Sequence, residues 1–209
     1  MKSATYLALG DSYTIGEGVD PAGRWPDQLV ARLRTDGVTI EDPQIIATTG
    51  WTTDELSAAI DTATLARHYD LVTLFIGVNN QYRGRPAEEY REQFLALLTR
   101  AMAFAGDARR VVVVSIPDWG VTAFAQDRDR AAIGRDIDIF NAIARDETIR
   151  AHARWADITP ASRIAGAQPD MLVADGLHPS AAQYALWTDV IEPMARAALK
   201  EAGFSAKLP

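Results

Sequence analysis

The chain has 209 residues, of which 48% are hydrophobic and 23% charged, a composition that builds its own core and a length that suits one α/β domain over 1–209. A net charge of −7 repels phosphate backbones and excludes a general nucleic-acid binder. The absence of cysteine excludes disulfides, thiol catalysis and cysteine metal sites, and no run approaches the ~20 apolar residues of a membrane span.

The N-terminus, MKSATYLALGDSYTIG, has one lysine and a short apolar stretch followed by polar residues. It does not read as a signal peptide, so a cytoplasmic location is expected for the chain as given, although a removed leader would leave no trace in it. The apolar stretch from Ala4 to Leu9 reads as a buried first strand ending at Gly10. A helix follows Pro26, with Leu29, Val30 and Leu33 at helical spacing and Gly37 as its stop. Gln44 to Thr48 is a second strand, and Thr52 or Thr53 caps the next helix, which carries Leu56, Ile60 and Leu65.

Asp70 to Ile76 is a third strand, apolar almost throughout, as expected when both sheet faces are covered. The basic residues Arg83, Arg85 and Arg91 read as a solvated loop and helix face. Pro86 opens a helix bearing Tyr90, Phe94, Leu97, Leu98 and Met102 that stops near Gly106. The run VVVVSI is the clearest strand, ended by Pro117. A long helix from about Arg128 to His152 carries Ile133, Ile137, Phe140, Ile143 and Ile149, a short strand spans Ala156 to Ile158, and a last helix runs from Pro179 to Ala202. Strand–helix alternation of this kind predicts a parallel sheet with helices on both faces. Ligands bind such sheets outside the carboxyl ends of the strands.

The residues at those ends are Gly10-Asp11-Ser12, Thr48-Thr49-Gly50-Trp51 and Gly77-Val78-Asn79-Asn80, with Asp175-Gly176-Leu177-His178-Pro179 before the last helix. A serine hydroxyl is a weak nucleophile without a base. His178 can supply one, and Asp175, three residues earlier, can orient it. The Ser12 and Gly50 N–H groups and the Asn79 side chain offer three donors to a developing oxyanion, and a glycine at position 50 permits close approach of the backbone. Asn80, Trp51, Tyr82 and Trp119 are candidates for the substrate pocket, with Trp25 another aromatic near the active edge. Asp11 reads as a brace for its turn and Asp118 as a turn former after Pro117. His68 stands at the wrong end of its strand, and His152 near a helix end, so both read as structural. Three scattered histidines offer no metal site.

The blocks GDS, Gly50, Gly77-Val78-Asn79 and Asp175-x-x-His178 occur in the order of the SGNH, or GDSL, hydrolases, which this chain resembles from residue 10 to 178. GVNNQYRG, SIPDWGVT and DGLHPSAAQY resemble the bacterial lysophospholipase-like esterases among them. The resemblance implies a three-layer flavodoxin-like fold with a five-stranded parallel sheet. It also implies Ser12, Gly50, Asn79 and His178 as signature residues with Asp175 as third triad member, and no cofactor or metal. Tyr13 stands where the family name expects leucine, and Asn80 where aspartate is frequent. The expected activity is serine-dependent hydrolysis of small carboxylic esters, with short acyl chains favoured because no long apolar loop marks an acyl tunnel. Lysophospholipids, thioesters and acetylated sugars are the alternatives within the family. A non-catalytic carbohydrate- or partner-binding domain is the rival of another class, and a nucleotide-binding flavodoxin-like domain is disfavoured by the acidic Asp11, Glu17 and Asp20 in the first loop.

Overall fold

The computed structural model describes residues 2–205. Five parallel strands, β1 (Tyr6–Gly10), β2 (Gln44–Ala47), β3 (Leu71–Phe75), β4 (Val111–Val114) and β5 (Arg154–Ala156), form a sheet of order β2-β1-β3-β4-β5. Every residue of β1, β3 and β4 is buried, because helices cover both faces. These are α1 (Ser12–Ile15), α2 (Trp25–Thr35), α3 (Thr53–Thr62), α4 (Val78–Tyr82), α5 (Ala87–Ala105), α6 (Arg130–Arg150), α7 (Thr159–Ala165) and α8 (Ala181–Glu201). α8 packs on β3, β4 and β5 with α2 beside it, while α5 packs on β3 and β4 between α3 and α6. No described helix is long and apolar enough to cross a membrane.

The strand order places β1 between β2 and β3, so the chain leaves β1 toward one edge and returns past it to the other side. This is a topological switch point, where adjacent loops part and leave a crevice at the carboxyl ends. Gly10, at the end of β1, lies opposite Ala47 on one side and Phe75 on the other. The loops that follow all three strands therefore start side by side.

Several expectations need correction. Helices α1, α4 and α7 were not foreseen, since four to seven residues are too few to display a helical period. The last strand is Arg154–Ala156 rather than 156–158. Ile158 is buried, but its N–H donates to the Ser115 hydroxyl (2.8 Å) instead of a strand partner. Trp25 is a core residue and not a loop aromatic of the active edge: it opens α2, is fully buried, and packs 6.2 Å from the Phe75 ring at the end of β3. Ile149 points to solvent. The buried face of α6 passes through Glu147 and Thr148, and the Glu147 carboxylate is satisfied there by Arg91 and Arg150.

Candidate active site

Ser12 sits where β1 turns into α1. The Asp11 carbonyl accepts the N–H groups of Thr14 and Ile15 (3.0 Å each), and its Oδ1 accepts that of Tyr13 (3.0 Å). The Ser12 amide is a first-turn helix donor with no acceptor inside its own helix. The side chain of Tyr13 points down into the core, stacking on Phe75 (5.9 Å) and meeting the His178 ring at 5.5 Å. The residue after the serine is thus a packing position, and it lies beneath His178. Asp11 is wholly buried, with Oδ2 lacking a partner. Burial pushes its carboxyl up to about 7, against the pull of the Tyr13 amide. The brace expected of Asp11 is present, at the cost of a poorly solvated acid.

His178 and Asp175 share one tight loop, in which the Val173 N–H donates to the His178 carbonyl (2.9 Å) and that of Gly176 to Val173 (3.0 Å). The Asp175 Oδ2 lies 2.6 Å from His178 Nδ1. Its Oδ1 accepts the backbone N–H groups of Leu177 (2.8 Å) and His178 (2.9 Å). Partial burial raises the Asp175 carboxyl, but these hydrogen bonds outweigh it and hold the group below the ordinary aspartate value. With Nδ1 committed to Asp175, the Nε2 of a neutral His178 is left as the basic nitrogen.

Gly50 occupies the third position of a turn closed by the Trp51 N–H on the Thr48 carbonyl (3.3 Å). Its φ of 87° is one that only glycine adopts easily. An added Cβ would find only Arg83, at 3.8 Å, so the conformation and not crowding requires glycine here. The Gly50 N–H takes no part in closing the turn. Asn79 lies in α4, directly after β3, and its Nδ2 donates to the Trp51 carbonyl (2.9 Å). Gly77 before it has φ 130°, and a side chain there would strike Tyr90, with Cε2 at 2.6 Å.

One cavity of about 200 Å³ is lined by Ser12, Gly50, Asn79 and His178, and its walls are largely apolar. Tyr82 and Trp119, two of the pocket candidates, line it. Phe124, Leu177 and Val78 also line it and were missed, although Phe124 follows Trp119 by five residues on the same edge of the sheet. Tyr82, Trp119 and Phe124 pack together with ring centroids 5.2–6.4 Å apart. The Arg128 guanidinium lies 5.3–5.5 Å from all three rings. The segment carrying Phe124 is also tied to the histidine loop, its N–H donating to the Gly176 carbonyl (3.0 Å).

Two of the pocket candidates lie elsewhere. Asn80 is fully buried and turned away from the cavity. Its Oδ1 accepts the Thr53 N–H (3.1 Å) and its Nδ2 donates to the Thr53 hydroxyl (2.7 Å), so it joins α4 to α3. A neutral amide offers both a donor and an acceptor there, which an ionised aspartate could not. Trp51 packs against the core and contributes its carbonyl rather than its ring. Asp118 is the turn former expected, with Oδ1 on the Gly120 N–H (2.9 Å) and Oδ2 on Arg163 (2.9 Å). His68 packs under Gly106 at the far end of the sheet, and His152 ends α6 with φ 59°. Among the described residues, no group of three or more His, Asp or Glu is placed to hold a metal ion.

A doubly wound sheet with a serine, a histidine–aspartate pair and free amide donors at its switch point has the equipment of an acyl-transfer hydrolase. The chain belongs to the GDSL-like lipase/acylhydrolase family, whose model matches residues 8–186. By family it is a carboxylic ester hydrolase. Its fold is shared with TesA at 20% identity and a TM-score of 0.72, over 93% of this chain and 99% of that one. A lipase/acylhydrolase from Enterococcus faecalis matches at 20% identity and TM-score 0.71, over 99% and 100%. A variant of Axe2, an acetyl xylan esterase from Geobacillus stearothermophilus, matches at 19% identity and TM-score 0.66, over the full length of both chains. No curated protein matches the sequence significantly.

Proposed function

We propose that the protein hydrolyses carboxylic esters with short acyl chains by a two-step mechanism on Ser12. The observation that carries this reading is the single small cavity on which Ser12, His178, Gly50 and Asn79 all open. His178 Nε2 takes the Ser12 proton as Oγ bonds to the ester carbon. The carbonyl oxygen becomes an oxyanion, received by the N–H groups of Ser12 and Gly50 and by the free N–H of Asn79 Nδ2. His178 then gives its proton to the leaving alkoxide as the C–O bond breaks. Water repeats the sequence on the acyl-enzyme and releases the acid. Asp175 keeps the imidazole in the tautomer and orientation that both steps need. The protein acts as one domain on a small-molecule ester.

The chain-length preference is supported by the cavity's size and by the Trp119, Phe124 and Leu177 side chains that line it. A second reading, removal of acetyl groups from sugars, draws on the exposed rings of Tyr82 and Phe124 at the rim, since such rings suit the apolar faces of sugars. Hydrolysis of p-nitrophenyl acetate, butyrate, octanoate and laurate by wild type and Ser12→Ala, beside acetate release from an acetylated sugar, tests both. The proposal requires activity that peaks at acetate or butyrate and disappears in the variant. Equal rates in both proteins would remove Ser12 from the mechanism.

A further inference from the structure

Arg83 is one of three basic residues that the sequence presents as ordinary solvated charge, yet it is bonded to the glycine of the site. Its Nη2 donates to the Gly50 carbonyl at 2.6 Å, and its Nη1 reaches Glu55 Oε1 at 3.2 Å. The other oxygen of Glu55 accepts the Thr52 N–H (2.9 Å), at the entry to α3. Arg83 itself ends α4, four residues after Asn79. The Trp51 carbonyl is taken by Asn79. The two consecutive carbonyls after the Gly50 amide are therefore both held from α4 and its C-terminal end, one by Asn79 and one by Arg83.

An exposed ion pair such as Arg83–Glu55 adds little to folding stability. Its placement matters more than its energy. A glycine in a left-handed turn has neighbouring peptide planes that rotate easily, and an oxyanion donor works only when aimed before the charge forms. Fixing the Gly50 carbonyl limits the rotation of the peptide that follows the donor, and with it the freedom of the glycine backbone on which the aim of the preceding N–H depends. Arg85, two residues on, pairs with Asp54 and Glu89 and touches neither carbonyl.

We infer that Arg83 is a positioning residue for the Gly50 oxyanion donor, tying the loop after β2 to the helix after β3. This rests on the proposed role of Gly50. Complete removal of an oxyanion donor costs about 100- to 1000-fold in turnover. Misaiming one is a smaller fault, so Arg83→Gln is expected to lower kcat on p-nitrophenyl acetate about tenfold.

The test compares wild type, Arg83→Gln, Arg83→Lys, Arg85→Gln and Ser12→Ala for kcat, KM, inhibition by butylboronic acid and Tm. The boronate becomes tetrahedral and anionic on the serine, so its affinity reads the donors directly. Arg83→Gln should lose kcat and boronate affinity in parallel, with KM and Tm held. Arg83→Lys should recover part of the loss, and Arg85→Gln should behave as wild type. Unchanged kcat and boronate affinity in Arg83→Gln, or a fall in Tm alone, would overturn the inference while Ser12→Ala stays inactive. If Ser12→Ala remains active, the underlying reading of the site fails instead.

Discussion

Asn79 donates its side-chain N–H to the main-chain carbonyl of Trp51, 2.9 Å away, and so joins the loop after β2 to the helix after β3. One amide hydrogen orients the side chain and the second is left for the cavity. Asn79→Ala removes both and should lower kcat by about 100- to 1000-fold. KM for p-nitrophenyl butyrate should change far less, since the interaction strengthens only in the transition state. Asn79→Asp keeps the shape but loses the donor and adds a negative charge, so it should be at least as slow. A rate within tenfold of wild type for either would show that Asn79 is not an oxyanion donor.

Asp175 is held below the ordinary aspartate range by its hydrogen bonds from His178 and Leu177, which overcome the opposing effect of burial. A carboxyl depressed in the folded state adds stability above its unfolded value, and that stability is lost as pH falls through the folded one. Asp175 therefore stays ionised throughout the range near neutrality. Asp175→Asn should cost roughly 10⁴-fold in kcat near neutrality by presenting the wrong imidazole tautomer. A loss of less than tenfold would show that Asp175 does not orient His178 for catalysis.

Asp11 gives the opposite sign. Burial raises it from 3.8 to about 7, so between these values the unfolded chain ionises while the folded one stays neutral. Stability is present in full below pH 4 and falls as pH rises to about 7. Asn at this position cannot ionise and can still accept the Tyr13 N–H. The Tm advantage of Asp11→Asn should thus grow from pH 4.5 to pH 7.5, within a ceiling of about 4 kcal/mol. A Tm difference that does not move with pH would show that Asp11 is charged in the fold.

Phe124 and Tyr82 stand at the rim of the cavity, both partly exposed. Phe124→Ala should open the wall and shift the best p-nitrophenyl ester to chains two to four carbons longer, with little loss of stability. Trp119→Ala should lengthen the preference too. It should also cost about 3–5 kcal/mol, because the ring is buried and its N–H donates to Gln81 (2.8 Å). An unaltered chain-length profile in Phe124→Ala would place the acyl group elsewhere.

Much of this site was legible because its chemistry lies at strand ends, and strands such as 71–75 and 111–114 announce themselves as apolar runs. Ser12, Gly50, Asn79, Asp175 and His178 could be brought to one edge by topology alone. The walls were harder. Trp51 and Asn80 sit beside cavity residues in sequence, but one step along a turn or a helix is enough to carry a side chain to another face. Phe124 and Leu177 carry no signal beyond being apolar in a loop. Trp25 resembled a loop aromatic because the helix it opens has proline at its second position. Nothing in the run Arg83, Arg85, Arg91 distinguishes a guanidinium on a carbonyl from one in water, since that depends on the fold of a loop thirty residues away.

The bond from the Phe124 amide to the Gly176 carbonyl has a bearing on how such an enzyme can change. The segment that lines the substrate cavity is fastened to the peptide between Asp175 and His178. Inserting or deleting residues near position 124 would pull on the histidine loop, and a new preference gained that way would bring a slower reaction. Exchanging the rings at 82 and 124 leaves the main chain where it is. Selection for a different ester should therefore proceed through side chains in this region, with the length of the loop held fixed.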